Sequence, residues 1–185
     1  MEKYFREIGK SDEEIEVIRY GLKVLVHSIS KTILMLAIAY VLGIVDLFLV
    51  SYISFAIYRS FAGGVHARGY MSCLIVHALI LFSSIYIATD VIHLGIEYYY
   101  IAIVFSLYVL VKYIPRDTEF RPFMSEFEVK RNRVISYMLY IITICLYINF
   151  QDVLVKICVL SMFSTSLLVH PITYKVFKIQ DGSNY

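Results

Sequence analysis

Residues 72–89, SCLIVHALILFSSIYIAT, form a run without Asp, Glu, Lys or Arg. Such a run is close to the ~20 residues with which an α-helix crosses a hydrocarbon core ~30 Å thick. Similar apolar runs occupy residues 24–43, 44–58, 97–114, 133–150 and 153–170. Gly43 and Asp46 mark a turn before the short run 44–58, although one long interrupted helix is the alternative. The sequence therefore predicts an all-α integral membrane protein with about six transmembrane helices, some of them short or partly inserted.

The composition supports this class of fold and excludes others. Of the 185 residues, 59% are hydrophobic and 17% are charged, a balance that one soluble core of this size could not hide. The net charge of +2, with Lys and Arg scattered, gives no reason to expect nucleic acid as a partner. Three cysteines argue against a disulfide framework, and no CxxC or HExxH spacing occurs. No metal and no cofactor are predicted.

The amino-terminal region alternates charged and apolar residues, and Ser11 with Glu14 forms a capping-box pattern. We expect an amphipathic helix at the membrane surface over residues 1–23, or alternatively a solvated helix without lipid contact. A transmembrane bundle over residues 24–170 and a cytoplasmic tail over 171–185 complete a single predicted domain of residues 1–185, because no internal repeat or linker interrupts the chain.

The positive charges predict the topology, since short cytoplasmic loops retain Lys and Arg. The connections around Asp46, residues 90–97 and residues 149–152 carry no Lys or Arg. The intervening connections carry them, at Lys3, Arg6, Lys10, Arg19 and Lys23, at Arg59 and Arg68, and at Arg116, Arg121, Lys130, Arg131 and Arg133. Both termini and the segment 59–71 are therefore expected on the cytoplasmic side.

The segment RSFAGGVHARGYMSC, residues 59–73, holds the most concentrated chemistry. Imidazole can take a thiol proton near neutral pH, so His66 and Cys73 could act as base and nucleophile. On one continuous helix, residues seven apart lie ~10.5 Å apart along the axis, so Gly69 must interrupt the helix. If Ser72 caps the next helix, Cys73 lies in its first turn, where the helix dipole and Arg68 favour the thiolate.

His77 is a rival base, because it lies four residues after Cys73 and hence on the same helix face. Its depth in the membrane counts against it, since an imidazolium is costly in a medium of low dielectric constant. The residues alone support two interpretations of Cys73 equally: a member of a catalytic Cys–His pair, or a packed intramembrane cysteine.

The run RSFAGGVHA at 59–67, followed by Cys73 seven residues after the histidine, resembles the accessory gene regulator B family. These are membrane cysteine proteases that process peptides in Gram-positive quorum sensing. The resemblance extends over nearly the full chain, including the segment PRDTEFRPF at 115–123. It implies that His66 is the base and Cys73 the nucleophile, that Arg59 and Gly64 support the site, and that His77 is a core histidine.

The resemblance also implies the substrate and the partners. The family cuts a short propeptide that has an amphipathic leader, a central segment that becomes a thiolactone or lactone ring, and an acidic carboxy-terminal region. A thioester acyl-enzyme is the implied intermediate, the membrane is the implied setting and a homodimer is the implied assembly.

Basic residues of the later cytoplasmic loop are candidates for binding the acidic region, although they could merely fix the topology. Within this loop, Asp117 or Glu119 could orient His66 as a third triad member, whereas such acids are more often solvated. The predicted substrate-binding residues are Arg116, Asp117, Arg121, Lys130, Arg131 and Arg133.

Two other functions are compatible with the residues. A small transporter or channel could use polar residues near the apolar runs, such as Lys31, Asp46 and His77. The missing repeat and the scarcity of intramembrane charge count against it. A non-catalytic scaffold that captures the peptide for another enzyme is the second alternative.

Overall fold

The computed structural model describes residues 11–65, 69–89, 95–116 and 125–177, and these residues are mainly helical. The only β pairing within these ranges is an isolated bridge between Gly63 and Arg116. The helices that they contain, in chain order, are α1 Asp12–Val41, α2 Val45–Ala62, α3 Tyr70–Ala88, α4 Ile96–Tyr113, α5 Glu126–Asn149, α6 Val153–Val169 and α7 Pro171–Phe177. The prediction of an all-α fold is confirmed.

Five of these helices, α1 to α5, are long and apolar enough to cross a membrane. The last two, α6 and α7, meet at a bend of 63° and count as a sixth span if the bent pair crosses as one. The described residues therefore contain five, or up to six, helices that could cross a membrane, in agreement with the prediction of about six. The orientation of the termini stays a prediction.

Helix α1 begins with the predicted capping box. The Ser11 hydroxyl accepts from the Glu14 N–H at 3.2 Å, and the Glu14 carboxylate accepts from the Ser11 N–H at 3.0 Å. The helix then continues through residues 23 and 24 without a break. The predicted amphipathic and membrane-spanning segments are therefore parts of one helix where the structure describes them, and the surface location of the first part stays a prediction.

The chain divides at Gly43 into two compact units, with α1 in the first and α2 to α7 in the second. Gly43 has a φ of +68°, in the left-handed region that favours glycine, so the turn predicted at this residue is confirmed. The single-domain organisation stays a prediction.

The second unit exposes large apolar side chains along its long helices. Ile57, Leu79, Val104 and Ile141 are between 41% and 66% exposed. Apolar surface on this scale is unfavourable in water and is typical of contact with lipid. The outward faces therefore agree with the membrane setting that the composition predicts.

The interior of this unit contains many hydroxyl groups. Ser51 of α2 and Ser84 of α3 are buried with their Oγ atoms 2.9 Å apart, and the Tyr140 hydroxyl of α5 lies 2.9 Å from Ser166 Oγ of α6. Small and hydroxyl side chains let membrane helices approach closely and hydrogen-bond to one another. Buried hydroxyl groups therefore lie among apolar side chains in the interior, while the outward faces expose large apolar side chains, unlike those of a soluble bundle.

Helix α6 is the centre of the second unit, because it packs against α2, α3, α4, α5 and α7. Ile157, Val159 and Met162 are fully buried along it. Its carboxyl end brings Leu168 and Val169 to the loop that follows α2. This packing positions the candidate site.

Candidate active site

The loop after α2 turns at two adjacent glycines, Gly63 and Gly64, with φ angles of +75° and +103°. Residues with a Cβ atom are disfavoured at such angles. A Cβ atom at Gly63 would overlap the carbonyl oxygen of Arg116, so the two backbone segments could not approach this closely with any other residue at position 63. The glycine pair therefore allows the loop to lie directly against the segment that follows α4.

Backbone hydrogen bonds fix the loop on both sides as far as Val65. The Arg116 N–H donates to Ala62 O at 3.0 Å, and the Gly64 N–H donates to Arg116 O at 2.8 Å. The Val65 N–H donates to Leu168 O, at the end of α6, at 3.1 Å. The residue that precedes His66 is thus both anchored and buried.

Arg59, in the last turn of α2, holds the same loop through its guanidinium. It donates hydrogen bonds to the carbonyl oxygens of Gly63, Gly64 and Val65, with the Gly64 distance at 2.7 Å. Guanidinium is the side chain that presents several N–H donors in a fixed fork. Arg59 and Gly64, which the sequence predicts as supporting residues, are therefore joined by a hydrogen bond. Their contribution to catalysis stays a prediction.

Several predicted site residues lie outside the described ranges. His66 and Arg68 fall between residues 65 and 69, and Asp117, Glu119 and Arg121 fall between 116 and 125. Their predicted roles as base, activating cation, orienting acids and substrate-binding residue are therefore not tested.

Helix α3 begins at Tyr70, and its N-cap is Gly69 with a φ of +95°. The predicted interruption at Gly69 is confirmed. The assumption that Ser72 is the cap is wrong, because glycine makes the turn here and Ser72 Oγ instead donates to Gly69 O at 3.2 Å. Cys73 is consequently the fourth helical residue, and its N–H donates to Gly69 O at 3.2 Å.

His77 lies beside Cys73 on α3, as the spacing predicts. The two side chains are 3.5 Å apart between Nδ1 and Sγ, and the same Nδ1 is 3.0 Å from the Cys73 carbonyl oxygen. Phe55 of α2 packs edge-on against the imidazole with 5.6 Å between ring centroids. The ring is therefore held by contacts on two helices.

A small cavity lies beside the cysteine and the histidine. Its wall includes Arg59 and residues from the loop and from α3, α6 and α7. These are Val65, Cys73, Val76, His77, Ile80, Leu168 and Phe177. Cys73 is half-buried, and it shares the cavity with the residue that immediately precedes His66.

The chain matches the model of the family Accessory gene regulator B over residues 1–173. It belongs to this family. It is 33% identical over 131 residues to the accessory gene regulator protein B of Staphylococcus aureus strain MW2, with 69% of each chain covered. An AgrB-like protein of Clostridium acetobutylicum is 28% identical over 170 residues, which cover 89% of this chain and 79% of that one. No solved structure matches.

Membership of the accessory gene regulator B family confirms the resemblance inferred from the RSFAGGVHA segment and Cys73. It also assigns the chain to accessory gene regulator quorum sensing and its peptide processing. The contacts described above add residues that the family motif does not mark. Leu168 reaches the loop through its backbone oxygen, a group that every amino acid carries, so no sequence pattern could reveal it.

The basic residues predicted to bind substrate fall into two groups in the described part of this family member. Arg116 belongs to the loop network, because its guanidinium lies 4.1 Å from the ring centre of Tyr174 and donates to Val169 O at 3.4 Å. The other group is on the first turns of α5, where Lys130 pairs with Glu126 at 3.8 Å. Arg131 and Arg133 are exposed on the same helix.

Proposed function

We propose that this protein is a membrane cysteine endopeptidase that removes the carboxy-terminal tail of a quorum-sensing propeptide and promotes closure of a thiolactone or lactone ring. The observation that supports this most strongly is the setting of Cys73. Its half-buried thiol lies at the beginning of α3 and lines one cavity with Val65, whose anchored backbone leads directly to His66. Membership of the accessory gene regulator B family supports the same reaction.

The first step is acyl transfer to sulfur. His66 takes the proton of the Cys73 thiol, and the thiolate attacks the scissile carbonyl carbon. The tetrahedral intermediate collapses with breakage of the C–N bond, and His66 returns the proton to the departing amine. The products are the free tail and a propeptide bound to Cys73 as a thioester.

The second step releases the enzyme. A cysteine thiol or serine hydroxyl within the bound propeptide attacks the thioester carbonyl, loses its proton and displaces the Cys73 thiolate, which is then reprotonated. Exchange of one thioester for another is nearly balanced in bond energy, so closure depends on the high effective concentration of the internal nucleophile.

Substrate binding is expected to use two surfaces. The amphipathic leader of the propeptide would lie at the membrane interface, which concentrates it near the enzyme. The acidic tail would meet the exposed cations of α5, of which Lys130 and Arg131 lie beside the acids Glu126 and Glu128. These pairs are exposed and weak, so an acidic peptide can compete with them. A homodimer is part of the proposal through the family resemblance alone.

Replacement of Cys73 tests the nucleophile. We expect Cys73→Ala to abolish both cleavage and ring closure, and Cys73→Ser to lower the cleavage rate by ~10³-fold or more, because a serine hydroxyl is a much weaker nucleophile at this pH. Mass spectrometry of a co-expressed propeptide would measure the free tail, the ring and the covalent adduct together. Cys145→Ala, which removes an exposed thiol far along the chain, is the matched control and should retain processing.

Processing that survives Cys73→Ala would contradict the proposal. A propeptide without its ring-forming nucleophile should still lose its tail, and should then accumulate as the Cys73 thioester or as the linear hydrolysed product. Movement of a preformed ring across the membrane, undiminished by Cys73→Ala, would instead favour the transporter.

A further inference from the structure

The described cavity wall contains three ionisable residues, Arg59, Cys73 and His77. Of these, His77 is the one that has no role in the proposed reaction. Its Nδ1 is within hydrogen-bonding reach of both the sulfur and the carbonyl oxygen of Cys73, at 3.5 Å and 3.0 Å. The position of the proton between these atoms decides what His77 can do.

A carbonyl oxygen can only accept a hydrogen bond, so a hydrogen bond across the 3.0 Å contact with Cys73 O requires the tautomer that has its proton on Nδ1. The same N–H is then available to the neighbouring sulfur, which is a weak acceptor as a thiol and a strong one as a thiolate. In this tautomer Nδ1 carries no lone pair with which to take the thiol proton. His77 is therefore arranged as a hydrogen-bond donor toward Cys73 rather than as its base.

We propose that His77 is a positioning residue, which holds the sulfur of Cys73 and stabilises its thiolate by donating the Nδ1 proton while the ring itself stays neutral. This inference deepens the proposed function, on which its consequence for catalysis rests. It also removes the objection that a histidine at this depth must become an imidazolium, because donation from the neutral ring creates no new charge.

Contacts around the ring favour this single arrangement. Phe55 packs edge-on against the imidazole from α2 and restricts its rotation, while Val76 and Ile80 line the cavity on the same helix. Leu168 of α6 and Phe177 of α7 face the cavity and carry no ionisable group. Among the described wall residues, Arg59 carries a fixed charge, and its guanidinium is bound to the loop carbonyls.

An isosteric pair of substitutions tests the donor. His77→Asn places an amide N–H close to the position of Nδ1, whereas His77→Leu has the same shape and no donor. The measurement is the rate at which iodoacetamide alkylates Cys73 as a function of pH, read by mass spectrometry on the full chain in lipid nanodiscs. Cys145 and Cys158 are replaced by alanine throughout, so that Cys73 is the sole thiol.

We expect His77→Leu to shift the midpoint of the alkylation profile upward by about one pH unit and to lower the rate at pH 7 about ten-fold, since one unit of pKa corresponds to one lost charge-assisted hydrogen bond. His77→Asn should stay near the parent profile. In the processing assay, His77→Leu should lower kcat and leave KM little changed, because the lost bond serves the reacting sulfur rather than substrate binding.

Equal profiles for the leucine and asparagine variants, or a leucine profile that coincides with the parent, would overturn the inference. If His77→Leu fails to fold, the comparison of His77→Asn with His77→Gln replaces it. Glutamine reaches toward the Nε2 position, so it should show the shifted midpoint while asparagine does not. Alkylation needs no substrate, so these results stand even if Cys73→Ala shows that the proposed peptidase reaction is wrong.

Discussion

Gly64 is a residue at which the candidate site tolerates little change. Its φ is +103°, and a Cβ there would collide with the Arg59 guanidinium and lie 2.9 Å from the carbonyl oxygen of Leu168. Backbone oxygen cannot move aside as a flexible side chain can. Any side chain at this position would therefore push the loop away from α6 and displace the attachment point of His66.

We expect Gly64→Ala to lower propeptide cleavage at least ~10-fold, because a non-glycine residue at positive φ costs ~1–2 kcal/mol and the contacts with Arg59 and Leu168 are lost in addition. The measurement is the initial cleavage rate at equal amounts of folded protein in membranes. Gly43→Ala is the matched control, because Gly43 also has a positive φ, +68°, but a Cβ there meets nothing within 4 Å. If both variants lowered the cleavage rate equally, backbone strain at a positive φ would explain the loss, and the contact at position 64 would not.

At the residue scale, the sequence predicts contacts between neighbouring side chains well and hydrogen bonds to distant backbone atoms poorly. The spacing of Cys73 and His77 predicts their contact, and the glycines predict the break before α3. The loop, however, is held by oxygens of Arg116 and Leu168, which are distant in sequence. Whether His77 donates or accepts depends on its contact with a carbonyl, and residue type alone does not determine it.

The helices show where hydropathy locates an element and where it misplaces the boundary. The apolar run 133–150 predicts α5, yet the helix begins at Glu126, because its first two turns are charged and Ser125 caps them by accepting from the Glu128 N–H at 3.3 Å. Helix α7 begins at Pro171, inside the predicted tail, and proline is favoured in the first turn of a helix. Apolar patterns therefore identify membrane segments but omit their polar extensions.

The interface between α2 and α3 depends on small hydroxyl residues. We expect Ser51→Ala to cost only ~0.6 kcal/mol of unfolding free energy, because membrane hydrogen bonds average about that value and Ser84 Oγ keeps a 2.8 Å bond to Leu81 O. Ser51→Leu should cost several times more, since Ser51 is fully buried and a larger side chain would force the helices apart. Unfolding by titration with sodium dodecyl sulfate in mixed micelles measures both.

Ser83→Leu is the matched control for this interface, because Ser83 is adjacent to Ser84 on α3 but exposed. The added side chain should meet lipid or detergent at little cost. Equal destabilisation by leucine at positions 51 and 83 would contradict the packing of α2 against α3.

At the scale of the whole molecule, the distribution of charge makes a prediction that the helices alone do not. The Lys and Arg residues flank alternate ends of the apolar segments, so the amino end of α5 should face the cytoplasm and its carboxyl end the outside. The helix has 24 residues, enough to separate its two ends by the thickness of a membrane.

Single cysteines at the two ends of α5 test this orientation. In a chain whose three native cysteines are replaced by alanine, we expect Gln151→Cys to react with a membrane-impermeant maleimide in intact cells. Glu126→Cys should react only after the membrane is permeabilised. Both positions are exposed, so protection by the protein itself would not explain a difference. Reaction of both in intact cells would contradict a membrane-spanning α5.

The hydrogen bond from the Val65 N–H to the carbonyl oxygen of Leu168 limits which sequence changes the protein can accept during evolution. All twenty amino acids supply that oxygen, so a change of side chain at position 168 can leave the bond intact. A single inserted or deleted residue before it would rotate the end of α6 by about 100° and carry the oxygen away. Natural drift should therefore be freer in the identity of this residue than in the length of the segment that delivers it.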